Sequence, residues 1–241
     1  MKKIIFFAGF IFCILTGHSQ VLISILLGDK LNTGKIEFGL EGGANWSTIK
    51  NIDGAKGLTS FNLGFYFDFK LKNPDWMLNT GVIVKSTMGA DELPVYLLGN
   101  PDLDNSFNGG KISRKINYFN VPIMMKYTFK NHMYLKGGTQ LGLRYKAFDE
   151  FKNSINDEDD LKYKLDIKDQ FHPLDAGLAF GAGYRLMKGN GMNIGVQYYL
   201  GLIDIRVDDS SPNQFNRVFY LTAGIPIGKN PKKKKTDQTE K

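Results

Sequence analysis

Residues 60–72 run Ser60-Phe61-Asn62-Leu63-Gly64-Phe65-Tyr66-Phe67-Asp68-Phe69-Lys70-Leu71-Lys72. Phe61, Leu63, Phe65, Phe67, Phe69 and Leu71 share one parity, and Asn62, Gly64, Tyr66, Asp68 and Lys70 share the other. Side chains alternate across a β-strand, so this segment predicts a strand with one bulky apolar face and one small or charged face. A helix would scatter the same phenylalanines around its whole circumference.

The period of two recurs outward from this segment in both directions. It predicts eight strands at Ile36–Ser47, Ser60–Lys72, Trp76–Thr87, Phe119–Phe129, Met133–Lys146, Leu174–Met187, Met192–Ile205 and Arg217–Ile227. In the fourth, the apolar phase slips relative to Ile116 and Tyr118, which predicts a nearby bulge. Connections alternate between tight turns (73–75, 130–132, 188–191) and long loops (48–59, 88–113, 147–173, 206–216). Strands near the roughly 9–11 residues that cross a bilayer at a tilt, with short turns on one side only, are the pattern of an exported barrel whose short side is periplasmic. The predicted fold is all-β: an eight-stranded antiparallel up-and-down transmembrane β-barrel.

Glycine placement separates a membrane barrel from a soluble one with a greasy interior. Gly39, Gly64, Gly81, Gly138, Gly177, Gly183, Gly195 and Gly224 are among those on the polar parity. Glycine gains nothing on a solvated face, but in a narrow interior it makes room for long neighbours. The bulky parity therefore faces lipid, with Trp46, Phe61, Phe65, Phe67, Phe69, Trp76, Tyr127, Tyr145, Phe180, Tyr184 and Tyr198 as its aromatic residues. The opposite parity places a charge constellation in the lumen: Glu37, Glu41, Asp68, Lys70, Lys85, Lys126, Lys136, Arg144, Lys146, Asp175 and Arg185. Such a set suits either an ion path or a paired network that fills the barrel. Eight strands leave an interior just wide enough for side chains, which favours the plug.

The chain has 241 residues, 42% of them hydrophobic, and a formal charge of +7. Lys2, Lys3 and the six lysines of the tail 229–241 carry most of that excess, so the body has no basic face of the kind that holds nucleic acid. Residues 1–19 have the form of a signal peptide, with Lys2 and Lys3, apolar Ile4–Thr16, and Gly17-His18-Ser19 before Gln20. The polar break at 17–20 argues against an uncleaved anchor over Ile4–Leu27. The one cysteine, Cys13, would leave with the signal. The expected organisation is signal 1–19, periplasmic leader 20–35, barrel 36–228 and a basic tail 229–241.

The signal before Gln20, the stretch Leu26-Leu27-Gly28-Asp29-Lys30-Leu31-Asn32, the segment Tyr118-Phe119-Asn120-Val121-Pro122 and the run from Asp175 to Tyr184 resemble the PorT-like outer-membrane β-barrel family of Bacteroidetes. The resemblance covers roughly residues 20–228. It implies an outer-membrane barrel and, through the family's named member, an association with type IX secretion and gliding. Its motifs mark the barrel rather than an activity.

Candidate chemistry is sparse. The acidic run Asp157-Glu158-Asp159-Asp160, with Asp149, Glu150, Asp166 and Asp169 nearby, has oxygen ligands suited to Ca²⁺ but matches no calcium-loop spacing. Asp102–Gly109 begins like an EF-hand, yet its glycine falls two places late and Ser113 stands where the closing Glu belongs. His132 and His172 are the histidines beyond the signal, and only His172 has acidic and hydroxyl neighbours, Asp208, Asp209, Ser210 and Ser211, in a facing loop. No catalytic residue, metal site or cofactor is assigned. The expected function is a non-enzymatic envelope interaction or assembly component, the alternatives being a passive structural barrel, a small pore or a lipid-modifying enzyme. Expected partners are outer-membrane lipid, lipopolysaccharide and an envelope protein. Loops 88–113 and 149–169 are net acidic, so divalent cations are expected to bridge them to lipopolysaccharide phosphates.

Overall fold

β1 (Ile36–Lys50) pairs on one side with β2 (Lys56–Lys70) and on the other with β9 (Phe215–Pro226), which closes a ring. Between them β3 (Trp76–Leu93), β4 (Lys111–Thr128), β5 (Met133–Ile155), β7 (Leu174–Arg185) and β8 (Asn193–Gly201) follow in antiparallel order. The ninth strand, β6 (Glu158–Asp166), stands outside the ring and pairs only with the far part of β5. This is a computed structural model, and it describes residues 33–52, 54–155, 158–208 and 212–227. The expected signal, most of the leader and the basic tail lie outside the described residues.

The expected eight-stranded ring forms, but β1 to β5 and β9 run past their expected ends on the long-loop side, β7 starts at Leu174 as expected, and β8 stops at Gly201, short of the expected Ile205. β3 and β4 have 18 residues each and β5 has 23. At about 3.3 Å per residue β5 is roughly 75 Å long, far more than a bilayer requires. Loop 88–113 therefore shrinks to the segment between Leu93 and Lys111, and loop 147–173 is mostly the β5–β6 hairpin. At the short-turn end β7 stops at Arg185 rather than Met187, because Met187 and Lys188 take left-handed φ of 51°.

Several bulges reset the alternation, among them one in β3 between Ala90 and Leu93, opposite Arg114 and Ile112. One extra residue of β3 sits between Ile83 and Ser86, where Ile83 pairs with Asn120 and Ser86 with Tyr118. One extra residue of β5, Tyr145, sits where Asn117 pairs with Lys146 and Tyr118 with Arg144. The bulge expected near Ile116 and Tyr118 is there, and the extra residue belongs to the partner strand. β4 itself keeps its phase, with Ile112, Ile116, Tyr118, Met124 and Lys126 all buried inward. Its hydrophobic pattern slips because the interior changes from polar to apolar along the strand.

The outer wall carries exposed Trp46, Phe61, Phe65, Trp76, Tyr145, Phe180, Tyr184 and Tyr198. Phe67, Phe69 and Tyr127 lie on the same face and are half-covered by neighbouring rings. Glycine makes room inside, at several positions for tyrosine. A Cβ on Gly39 would lie 2.3 Å from the Tyr66 ring, and one on Gly183 would lie 2.3 Å from the Tyr134 hydroxyl.

Between β3 and β4 lies the helix α1 (Pro101–Ser106). Asn100 caps it, its side chain accepting from the Asp102 and Leu103 N–H groups. The Asp104 carboxylate accepts the Leu98 N–H at 2.6 Å. The carboxylates of the EF-hand-like stretch thus serve a helix start and its preceding loop.

Candidate functional site

The interior is the site that eleven charged residues were expected to build, and it has two levels. Nearer the short turns it is polar. There the Arg185 guanidinium meets the Glu37 carboxylate, which also accepts from the Tyr66 hydroxyl at 3.1 Å. Asn193 donates to that hydroxyl at 3.3 Å. Beside this group Lys126 Nζ lies 2.7 Å from Asp68 Oδ2, Asn79 donates to Asp68 Oδ1 at 2.7 Å, and the Lys126 ammonium sits 4.4 Å from the centre of the Tyr134 ring.

A cavity of about 320 Å³ opens at this mouth, lined among others by Glu37, Asp68, Lys70, Lys126, His132 and Arg185. Lys70 is exposed at the rim, where its Nζ reaches the Gly34 carbonyl at 3.3 Å. Lys136 is buried beside Lys126 in strand register, its stem next to Gly181. Gln197 donates to Gln140 at 3.2 Å across the middle of the barrel. Asp175 accepts from Asn216 at 2.8 Å, and Arg144 donates to the Phe171 and His172 carbonyls at 3.1 and 3.2 Å. Among the described residues no ion pair joins Glu41, Lys136, Arg144 or Asp175. The expected paired network is instead two ion pairs, with Asp175 held by an amide and Arg144 by carbonyls.

Two of the expected lumen residues are elsewhere. Lys85 and Lys146 are exposed on the outer wall, Lys85 with its Nζ 5.7 Å from the Phe61 ring and Lys146 with its Nζ 5.2 Å from the Phe148 ring. Each follows a bulge, and one extra residue turns every later side chain to the other face.

Above the polar level the interior is apolar and closed. Met88, Ile116, Ala147 and Phe151 have no exposure, and Ile112, Ile167 and Phe171 have 1%. Phe107, at the end of α1, packs its ring 5.8 Å from that of Phe151. One ion pair is set into this layer: Arg114 grips Asp149 with two bonds of 2.9 and 2.7 Å, and the Tyr96 hydroxyl donates to the same carboxylate at 3.1 Å. Burial pushes the Tyr96 phenol above its ordinary range, and the Asp149 charge adds to that. Glu150 is neutralised by Lys115 and Lys164. Among the described residues no group of three or more His, Cys, Asp or Glu is placed to hold a metal. The run Asp157–Asp160 falls largely outside the described side chains.

His172 is an exposed loop residue whose main-chain N–H donates to the Ile205 carbonyl at 2.8 Å. Asp209, Ser210 and Ser211 of the facing loop lie outside the described residues. Tyr66, Asn79, Tyr134, Asn193 and Asn216 were not expected as lumen partners. They sit on the polar parity, and that parity is the signal that points to them once uncharged polar residues are counted.

Residues 27–206 match the family described as outer membrane protein beta-barrel domain. No protein of the curated set matches the sequence. Among solved structures, Ail, the attachment invasion locus protein of Yersinia pestis, is similar at 17% identity and a TM-score of 0.41, with 80% of this chain and 99% of that one covered. Neisserial surface protein A is similar at 9% identity and a TM-score of 0.36, with 79% and 96% covered. The outer membrane protein AlkL is similar at 14% identity and a TM-score of 0.33, with 81% and 92% covered.

Proposed function

The chain belongs to the outer membrane protein beta-barrel domain family and so resides in the outer membrane, and from that premise we propose that it is a non-enzymatic envelope interaction or assembly component of PorT-like type. The short-turn end is then periplasmic and the β3–β6 extension extracellular. The observation that carries this reading is the closed apolar layer of Met88, Ile116, Ala147 and Phe151 across the interior. A blocked lumen leaves the surfaces to do the work, and the chain builds a large one: β3, β4, β5 and β6 extend beyond the apolar wall as paired strands.

Crosslinking in intact cells, followed by purification through a tag in loop 206–216, tests the proposal. One stoichiometric envelope protein is the expected recovery. Recovery of lipid and abundant neighbours alone would make the chain a passive barrel.

A further inference from the structure

Summed over the outer loops the charge is acidic, yet the outward face of the extracellular sheet is not. Strand register sets its side chains in rows. Lys111, Lys152 and Lys162 stand side by side across β4, β5 and β6. Two residues nearer the membrane the row is Ser113, Glu150 and Lys164, and the next is Lys115, Phe148 and Asp166. Below them lie Lys146 and Lys85, the two lysines that the bulges turn outward. Among the described residues the carboxylates of this sector are Asp91, Glu92, Glu150 and Asp166, and Asp91 accepts from the Ser113 hydroxyl. Glu92 pairs with Lys56 and Lys111, and Glu150 with Lys115 and Lys164.

We propose that this lysine ladder is a binding site for the phosphate groups of the outer-leaflet glycolipid, which it contacts directly and without a bridging cation. Three observations support it. Like charges placed directly opposite one another on a sheet repel, and Glu92 neutralises the Lys111 end of the row, so the adjacent Lys152 and Lys162 are unfavourable until a further anion joins them. Edge protection accounts for lysines on β6 but not for Lys152 in the middle strand or Lys111 on the far one. Lys146 and Lys164 converge on one ring, with Nζ atoms 5.2 and 5.5 Å from the Phe148 centroid, and Lys146 has no ion pair among the described residues.

Height selects the lipid. The exposed apolar wall of β5 ends with Leu143 and Tyr145, and Lys146 follows at once. The rows then rise at about 7 Å per two residues along the strand, so the ammonium groups occupy roughly the first 20 Å beyond the apolar wall. Headgroup phosphates lie in that zone, and clustered cations beside them act together. This site needs no protein partner, so it stands or falls separately from the assembly role.

The test uses the folded full barrel in detergent, titrated with bis-phosphorylated lipid A, with the same lipid after phosphatase treatment, and with inositol hexaphosphate as a free polyanion. Bis-phosphorylated lipid A is expected to bind at least about tenfold more tightly than the dephosphorylated lipid. The combined variant Lys152→Gln, Lys162→Gln and Lys164→Gln is expected to lose about tenfold or more, while the corresponding three Lys→Arg changes stay within about twofold. Heat-modifiable gel migration shows that each variant is folded. Equal binding of both lipids, or unchanged binding by the Gln variant, would overturn the site. Binding of inositol hexaphosphate without binding of lipid A would overturn its assignment to the membrane.

Discussion

Lys126 and Asp68, separated by 58 positions, meet inside the barrel with Nζ 2.7 Å from Oδ2. Their side chains are 6% and 1% exposed, so this is a buried pair in which each charge is held by the other. Removing one partner strands the other, at a cost of about 3–5 kcal/mol. Asp68→Asn is therefore expected to lower stability by that amount in urea unfolding followed by tryptophan fluorescence. Asp68→Asn combined with Lys126→Met is expected to recover most of the loss. A single variant as stable as the wild type would show that the charges are hydrated rather than paired.

The outward turn of Lys85 and Lys146 is directly accessible to chemistry. In a Cys13→Ser background, Lys85→Cys and Lys146→Cys are expected to react with a membrane-impermeant maleimide on intact cells. Lys136→Cys, at a buried lumen position, is expected to remain unlabelled. Labelling of Lys136→Cys at the rate of the other two would mean that the lumen is open to solvent from outside.

Closure of the upper interior predicts electrical silence. In planar bilayers the purified protein is expected to give no ohmic single-channel steps, because ions cannot cross an apolar, close-packed layer without displacing it. Reproducible steps of constant size would mean that the layer of Met88, Ile116 and Phe151 opens.

Glu92 supplies a pH-dependent contact on the extracellular extension. Hydrogen bonds from Lys56 and Lys111 hold its carboxyl below the ordinary carboxylate range. A depressed acid stabilises the folded form above the ordinary carboxylate pKa of about 4.3, and that contribution fades as pH falls through the lowered value. Amide exchange over 88–93 is expected to be flat from pH 6 to 9, after correction for intrinsic rates, and to show lost protection only below about pH 4. Glu92→Gln is expected to abolish that acid-side change. A change of protection near neutrality would implicate another group.

How far the sequence carries can be argued from three places. In Ser60–Lys72 the alternation is unbroken, so both the strand and its lipid-facing side are legible without a structure. In β4, Ile112, Ile116 and Tyr118 look like a slipped phase, because an apolar side chain gives the same signal facing lipid or facing a dry interior. The strand extensions went unseen for the same reason: a local pattern has no information about what stands opposite.

Lys85 and Lys146 mark the limit most clearly. Their side is set by one extra residue in each strand, and a bulge is defined only against the strand it pairs with. The sequence by itself determined the strand periodicity, the alternation of short and long connections, and the greasy outer wall, since these are properties of single segments in a fixed geometry. Tertiary structure alone decided which charges meet, where the lumen closes and which lysines face outward. Those depend on register between segments far apart in the chain, and a shift of one residue reverses every side chain that follows.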